Sequence, residues 1–426
     1  MRKRRTSAPA GHEIVRRRWS QLWKPRLPQT LPAGVWVLGF GSLLMDASSE
    51  LVHSLLPIFM TTVLGASMVT IGTIEGIAEA TAAITKVFSG ALSDYLRKRK
   101  FLVVLGYALG AFTKPVFPLA TTIGWVFTAR FIDRIGKGIR GAPRDALIAD
   151  IVPPELRGAA YGLRQSLDSV GAFIGPLLAV AFMLWFSNDI KAVLWIAVIP
   201  AFLSVALLIT AVREPEPSAV VAFAKSPNRL AFVDAKRLSR RFWRVVALGA
   251  VFTLARFSEA FLILRVADLG LAIGYVPVIM IVMNVAYAAV AYPAGIAADR
   301  LAARTLLIIG LGLLIAADLI LAIAQAPWMA LIGAAFWGLH MAFTQGLFAK
   351  LVADTAPAEL RGTAFGIFNL IGGTALLLAS VIAGAAWSTF GASATFIVGA
   401  AFAGCAAAGL LLYRPTSGIA EHHARV

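Results

Sequence analysis

A single cysteine, Cys405, in a chain of 426 residues leaves no disulfide framework and no thiolate metal site within one chain. The five histidines are scattered and form no nucleophile–base or metal-ligating cluster with it, so no enzyme active site, metal or cofactor is expected. Charge is scarce as well: 14% of residues are charged and 59% are hydrophobic. With a mean hydropathy of +0.80, that balance excludes the two or three soluble domains that length alone would suggest. The net charge of +17 does not point to nucleic acid, because the basic residues sit in short clusters between apolar runs and form no separate basic domain.

What is present is a series of apolar runs of roughly 20 residues, each long enough to cross a bilayer. Twelve are read, at 34–60, 68–94, 101–120, 122–143, 157–186, 191–212, 244–267, 273–298, 304–324, 328–350, 361–387 and 390–413. The fold class is therefore an all-α, multi-pass membrane protein of twelve transmembrane helices. Residues 1–33 read as a basic tail; the first apolar run is too long for a secretory signal and contains Asp46 and Glu50, so it reads as a retained span. Basic residues collect in loops on one side, at Arg97 to Lys100, at Arg144, between Arg213 and Arg244, and at Arg300 and Arg304. The opposite loops at 61–67, 121–124, 324–327 and 388–392 hold no Lys or Arg. Both termini and the linker 213–243 are thus expected in the cytoplasm, with residues 414–426 as a second tail and the plasma membrane (the inner one in a cell with two) as the location.

The chain also repeats itself. Asp145-Ala-Leu-Ile-Ala-Asp-Ile-Val-Pro-Pro-Glu-Leu-Arg-Gly recurs 204 residues later as Ala349-Lys-Leu-Val-Ala-Asp-Thr-Ala-Pro-Ala-Glu-Leu-Arg-Gly. Gly90-Ala-Leu-Ser-Asp94 recurs 205 residues later as Gly295-Ile-Ala-Ala-Asp299. An even number of spans separates the copies, which implies two parallel six-helix bundles, 34–212 and 244–413.

The duplicated Gly-x-x-x-Asp turn, the Arg-bearing fourth span and Gly171-Ala-Phe-Ile-Gly175-Pro176 in the fifth together resemble the major facilitator superfamily, from about 34 to 413. The resemblance implies a cytoplasmic gate at Gly90, Asp94, Arg99, Gly295, Asp299 and Arg300. It also links the helix-bend motif Gly171, Gly175 and Pro176 to proton-coupled antiporters, and implies a monomer. Physically, Gly171 and Gly175 permit close packing and Pro176 removes one backbone bond.

Charges inside the spans point to function, because each costs on the order of 3 kcal/mol at the bilayer centre unless paired or hydrated. Arg130, Asp133, Arg134 and Lys137 fall at i, i+3, i+4 and i+7, one helical stripe. Asp46, Glu50, Glu79, Asp133, Asp168 and Glu259 are the candidate proton carriers, with Arg130, Arg134, Lys137, Arg164 and Arg256 as charge partners. A carboxylate beside its arginine stays ionised, and one deprived of that partner in a dry site takes up a proton; static ion pairs are the alternative. Asn284, Tyr287, Trp337, His340, Gln345 and Asn369 are candidate contacts to substrate, and helix packing is the alternative for the aromatic ones.

The function expected is secondary active transport of a small molecule by alternating access, coupled to protons, with efflux slightly favoured. The runner-up is a proton-driven importer of a polar metabolite or metal chelate. From another class comes a non-transporting membrane sensor or scaffold on the same helices. The expected partners are the substrate, protons and the lipid bilayer, with no nucleic acid.

Overall fold

The computed structural model describes residues 31–96, 98–153, 156–213, 237–357 and 360–412. The expectations for tail residues 1–30 and 414–426, for 214–236 of the linker and for Arg97 lie outside the described residues. Among the described residues the chain is helical. In order come α1 (Ala33–Thr62), α2 (Met68–Leu96), α3 (Arg99–Thr113), α4 (Val116–Leu119), α5 (Ile123–Ile151), α6 (Arg157–Trp185), α7 (Ile190–Ile196) and α8 (Val198–Ala211). After the linker follow α9 (Arg240–Leu254), α10 (Ala260–Asp268), a 3-10 turn (Ile273–Tyr275), α11 (Val278–Arg300), α12 (Ala303–Ile323), α13 (Pro327–Thr355), α14 (Arg361–Phe390) and α15 (Ala392–Leu412).

Among the described residues, eight helical segments are long and apolar enough to cross a membrane. The other four expected spans are those with polar content or a break: α2 with Glu75, Glu79 and Lys86, α5 with its charged stripe, α9 and α10, and α13 with His340 and Thr344. Three expected spans are each two helices. The third is interrupted at Lys114-Pro115 and the sixth at Ala197, ahead of Pro200, because proline supplies no N–H to the turn before it. At the second break Ser48 of α1 donates to the Ala197 carbonyl at 2.6 Å.

The seventh span corrects the expectation of one helix over 244–267. It stops at Leu254 and restarts at Ala260, so Arg256 and Glu259 lie in the interruption. Ser380 of α14 accepts from the Ser258 backbone N–H at 3.2 Å, and the Ser258 hydroxyl accepts from Ala260 N–H at 3.3 Å. These hydroxyls supply the acceptors that a continuous helix would have provided.

The two halves are joined differently at their two ends. Leu55 and Phe59 of α1, Phe261 and Leu264 of α10 and Trp387 of α14 belong to one apolar cluster at the end where α1 stops and α2 begins. At the other end each half has its own cluster, with Val35, Leu38, Val103 and Leu147 in the first and Leu238, Phe242, Val352 and Ala364 in the second. Along one seam α2 packs on α14 for most of its length: a Cβ on Gly72 would lie 2.2 Å from the Ser380 carbonyl, one on Gly384 2.4 Å from the Met68 carbonyl, and one on Gly366 2.9 Å from Val87. Only hydrogen fits at such crossings, as in other small-residue helix contacts. The second seam, α6 on α11, is closed at Asn188 against Gly274 and at Ala172 against Asn284. Beyond that point it parts, since nothing lies within 4 Å of a Cβ placed on Gly158 or Gly162 of α6 or on Gly295 of α11.

Candidate functional site: a charged cavity between the halves

Where the α6–α11 seam parts, a cavity of about 1100 Å³ runs from mid-bundle toward the end with separate cores. Its first-half wall is charged, carrying Asp46 and Glu50 of α1, Glu79 and Lys86 of α2, Lys137, Arg140 and Arg144 of α5, and Asp168 of α6. Its second-half wall is mainly apolar, with Met280, Met283, Met341 and Phe368 interspersed by Thr253, Asn284, Tyr287 and Asn369, and with Glu259 at the α9–α10 break.

α5 organises the charged wall. Arg140 reaches Asp46 at 3.5 Å while its guanidinium lies 4.5 Å from the Tyr107 ring centroid. Arg144 bonds Ser42 and, at 3.3 Å, the Tyr107 hydroxyl, and lies 3.7 Å from Asp168. Asp168 is held at 2.9 Å by Arg164, one turn earlier on α6. Arg134 reaches Glu79 at 3.2 Å. Three cavity carboxylates thus each share a cation on α5.

Behind this wall lie charges that do not line the cavity. Arg130 grips Glu75 with two bonds, Nε to Oε1 at 3.2 Å and Nη2 to Oε2 at 2.7 Å, and also donates to His53 Nδ1 at 2.7 Å. Lys114, at the α3–α4 break, donates to Asp133 at 2.9 Å and to Ser49 at 3.1 Å. Arg130, Glu75, Lys114 and Asp133 are all buried. This paired, dry arrangement keeps the charges neutralised inside the first bundle.

The structure therefore divides the expected proton carriers and partners. Asp46, Glu50, Glu79, Asp168, Glu259 and Lys137 line the cavity, whereas Asp133 and Arg130 face the bundle interior. Arg256 lies 3.6 Å from Glu259. Arg140, Arg144, Lys86, Glu75 and Lys114 complete the network and were not among the expected site residues. Arg144 in particular was expected in a loop, but α5 continues through Pro143 to Ile151 and carries it into the cavity wall. The signal was in the sequence: Arg144 continues the stripe of Arg130, Arg134 and Lys137 at helical spacing.

Of the expected substrate contacts, Asn284, Tyr287 and Asn369 line the cavity. Trp337 and His340 do not, because that face of α13 turns into its own bundle. Trp337 packs on Phe257 with centroids 5.3 Å apart, and His340 stacks on Phe252 at 5.3 Å while its Nδ1 donates to the Gly310 carbonyl at 2.9 Å. Gln345 lies on α13, and Asp94, Asp299 and Arg300 lie at the ends of α2 and α11; their side chains are outside the described residues. Of the other expected gate residues, Gly90 faces Ala142 of α5, Gly295 faces open space, and Arg99 pairs with Asp150 and bonds the Ala146 carbonyl at 3.1 Å. Gly171 and Gly175 pack α6 against α1, where Cβ atoms would lie 2.6 Å from the Leu43 carbonyl and 2.7 Å from that of Ala47.

A family profile, Major Facilitator Superfamily, matches residues 38–283 and 260–425. The chain belongs to the major facilitator superfamily. An MFS-type transporter of Methanocaldococcus jannaschii is 33% identical over 384 residues, covering 88% of this chain and 93% of that one. Multidrug resistance protein MdtH of Photorhabdus laumondii is 27% identical over 150 residues, 35% of this chain and 37% of its own. Among solved structures, a D-xylose–proton symporter superposes with a TM-score of 0.68 at 20% identity, covering 89% of this chain and 97% of the symporter. As a member of this superfamily the chain is a multi-pass membrane transporter of a small molecule and not an enzyme. The cavity between its halves lies where transporters built from such repeats hold their substrates.

Proposed function

We propose that this protein is a proton-coupled secondary transporter in which the cavity alternates between the two sides of the plasma membrane. The observation that carries the reading is the set of cavity carboxylates paired to cations of a single helix: Asp46 to Arg140, Asp168 to Arg144 and Glu79 to Arg134. A carboxylate whose cation is drawn to a substrate or to another carboxylate takes up a proton, and one whose cation returns releases it. Rocking of the two bundles 34–212 and 244–413 about the α2–α14 seam exchanges the exposed side. With both termini and the basic loops in the cytoplasm, the conformation described here opens inward. The protein works as a monomer in this reading, since both halves of the cavity come from one chain.

Efflux is the favoured direction, supported by the likeness of one third of the chain to a multidrug resistance protein and by the Gly171, Gly175, Pro176 element. The charged wall favours, as the second reading, proton-driven uptake of a polar metabolite. The experiment uses purified protein in liposomes with an imposed pH gradient and an internal pH dye, challenged with lipophilic cations, sugars, organic acids and metal chelates. Substrate-dependent proton movement supports coupling, and its sign separates antiport from symport. Substrate flux indifferent to the pH gradient would overturn proton coupling.

A further inference from the structure

The cations of the cavity wall fall into two kinds. Arg140 and Arg144 are each committed to a carboxylate and to Tyr107. Lys86 and Lys137 line the same cavity and have no ion-pair or hydrogen-bond partner among the described residues. They also belong to one patch. Gly141 of α5 leaves room for the Lys86 stem, whose carbons lie 3.7 to 3.8 Å from where a Cβ on Gly141 would be. Lys137 is one helical turn from Gly141 on the same helix. Gly138, between them, lets Thr85 approach to 2.5 Å from its would-be Cβ, so α2 and α5 meet tightly at this level.

Two ammonium groups without a direct ion pair, on neighbouring helices that line one recess of a membrane domain, are poised to receive negative charge; Lys137 shares the field of Glu79, Asp46 and Glu259, each of which is already held by an arginine. An anion entering there gains charge-assisted hydrogen bonds in a medium that screens less than bulk water. The acids around the cavity do not bond the lysines directly: Asp46, Asp168, Glu79 and Glu259 each ion-pair with an arginine, and among the described residues Glu50 makes no ion pair with either lysine. Lysine also suits a site that tolerates variation, because its compact charge rides on a flexible stem. The opposite wall presents Met280, Met283, Met341 and Phe368. Thioethers and an aromatic ring form an adaptable apolar surface for the rest of the ligand.

We propose that Lys86 and Lys137 form an anion subsite and that the substrate is an amphiphilic organic anion, its carboxylate or phosphate head on the lysines and its apolar body against the second-half wall. The proposal rests on the reading of this cavity as the translocation site, and it is tested by binding rather than by flux.

Calorimetric titration of the purified protein in detergent with four probes that share one phenylhexyl chain and end in a carboxylate, a phosphate, a neutral amide or an ammonium makes the test. The two anions should bind roughly ten-fold or more tightly than the amide, the scale of one charge-assisted contact. The tighter of the two anions names the headgroup. Lys86→Gln and Lys137→Gln should each remove most of that preference while leaving amide binding unchanged, and Lys137→Arg should retain it. Both lysines are solvent-accessible in the cavity, so these variants fold, as a melting curve checks. Equal or tighter binding of amide or ammonium, no saturable anion binding by folded protein, or an unaltered anion preference in the double glutamine variant would each overturn the proposal. Anion binding that depends on the lysines without pH-driven flux in liposomes would instead fault proton coupling and leave the anion subsite standing.

Discussion

Asn284 of α11 donates from its Nδ2 to the carbonyl of Ala172 on α6 at 3.1 Å, and that carbonyl is the one that Pro176 deprives of its helical donor. The proline of the helix-bend motif thus does more than loosen its own helix, which runs unbroken from Arg157 to Trp185. It exposes an acceptor at the bundle seam, and the other half of the molecule supplies the donor. The bond sits at the last closed point of that seam, beside the start of the cavity.

A consequence can be measured. Asn284→Leu removes the donor, and Pro176→Ala gives Ala172 back a helical N–H that competes with Asn284 for its carbonyl. The first change removes, and the second weakens, a bond worth about 0.5–1.5 kcal/mol net in the conformation described here. Its population should fall about two- to ten-fold, read as a longer spin-label distance distribution between the sealed ends of α6 and α11. Distances unchanged in both variants would reduce the bond to a local cap.

The grip of Arg130 on Glu75 predicts a stability effect with a particular signature. Glu75→Gln leaves the guanidinium buried with only His53 beside it, and should cost about 3–5 kcal/mol because one charge of a buried pair is uncompensated. Adding Arg130→Met should recover much of the loss, since paired removal of buried charges is often nearly neutral. Thermal unfolding in detergent decides. A double variant as unstable as the single one would mean that the pair contributes packing rather than mutual neutralisation.

These assignments show where reading the sequence stops. The spans, the two halves and the location of charge follow from apolar run length, a repeat at 204 to 205 residues and helical spacing, all local or periodic properties. Which charge meets which depends on helix rotation and on contacts distant in sequence. Lys114 finds Asp133 across a proline break, and Arg140 finds Asp46 on another helix. Local pairs were legible, as with Arg164 and Asp168 one turn apart. For Trp337 and His340 cavity contact and core packing both stay open in the sequence, because a ring on an apolar helix does not say which way its face points. The α9–α10 break was hidden because Arg256, Phe257, Ser258 and Glu259 are compatible with a helix; the hydroxyls that stabilise the gap come partly from Ser380, 122 residues away.

The division between cavity carboxylates and interior ones gives the next expectation. Asp168→Asn leaves Arg144 bonded to Ser42 and Tyr107 and 3.6 Å from Asp145, so that cation is not stranded. Asp46→Asn leaves the buried Arg140 with the Tyr107 ring alone and should cost some stability. Both variants should lose pH-driven accumulation in liposomes, and Asp168→Asn should fold like wild type. Asp133→Asn should behave in the opposite way, destabilising the protein by about 3–5 kcal/mol because Lys114 is buried with its charge uncompensated. Full coupling in the two cavity variants would remove Asp46 and Asp168 as proton carriers and leave Glu50, Glu79 and Glu259 to be tested.

The α2–α14 seam carries the final expectation, because rocking bundles need one line of contact that persists. Gly72 and Gly384 bring backbone against backbone there: would-be Cβ atoms lie 2.2 Å from the Ser380 carbonyl and 2.4 Å from the Met68 carbonyl. None of these neighbours is a flexible side-chain end that could swing aside, so even one methyl must push the helices apart. Gly72→Ala should cost about 1–3 kcal/mol, the usual range for overpacking a filled interface. The same change at Gly158, Gly162 or Gly295, where the α6–α11 seam is open and nothing lies within 4 Å, should leave thermal stability unaltered. If those three positions instead resist substitution through lost flux while stability holds, the α6–α11 seam closes on them during the cycle, and the α2–α14 seam is the axis about which it does so. Equal stability loss at all four positions would contradict that asymmetry.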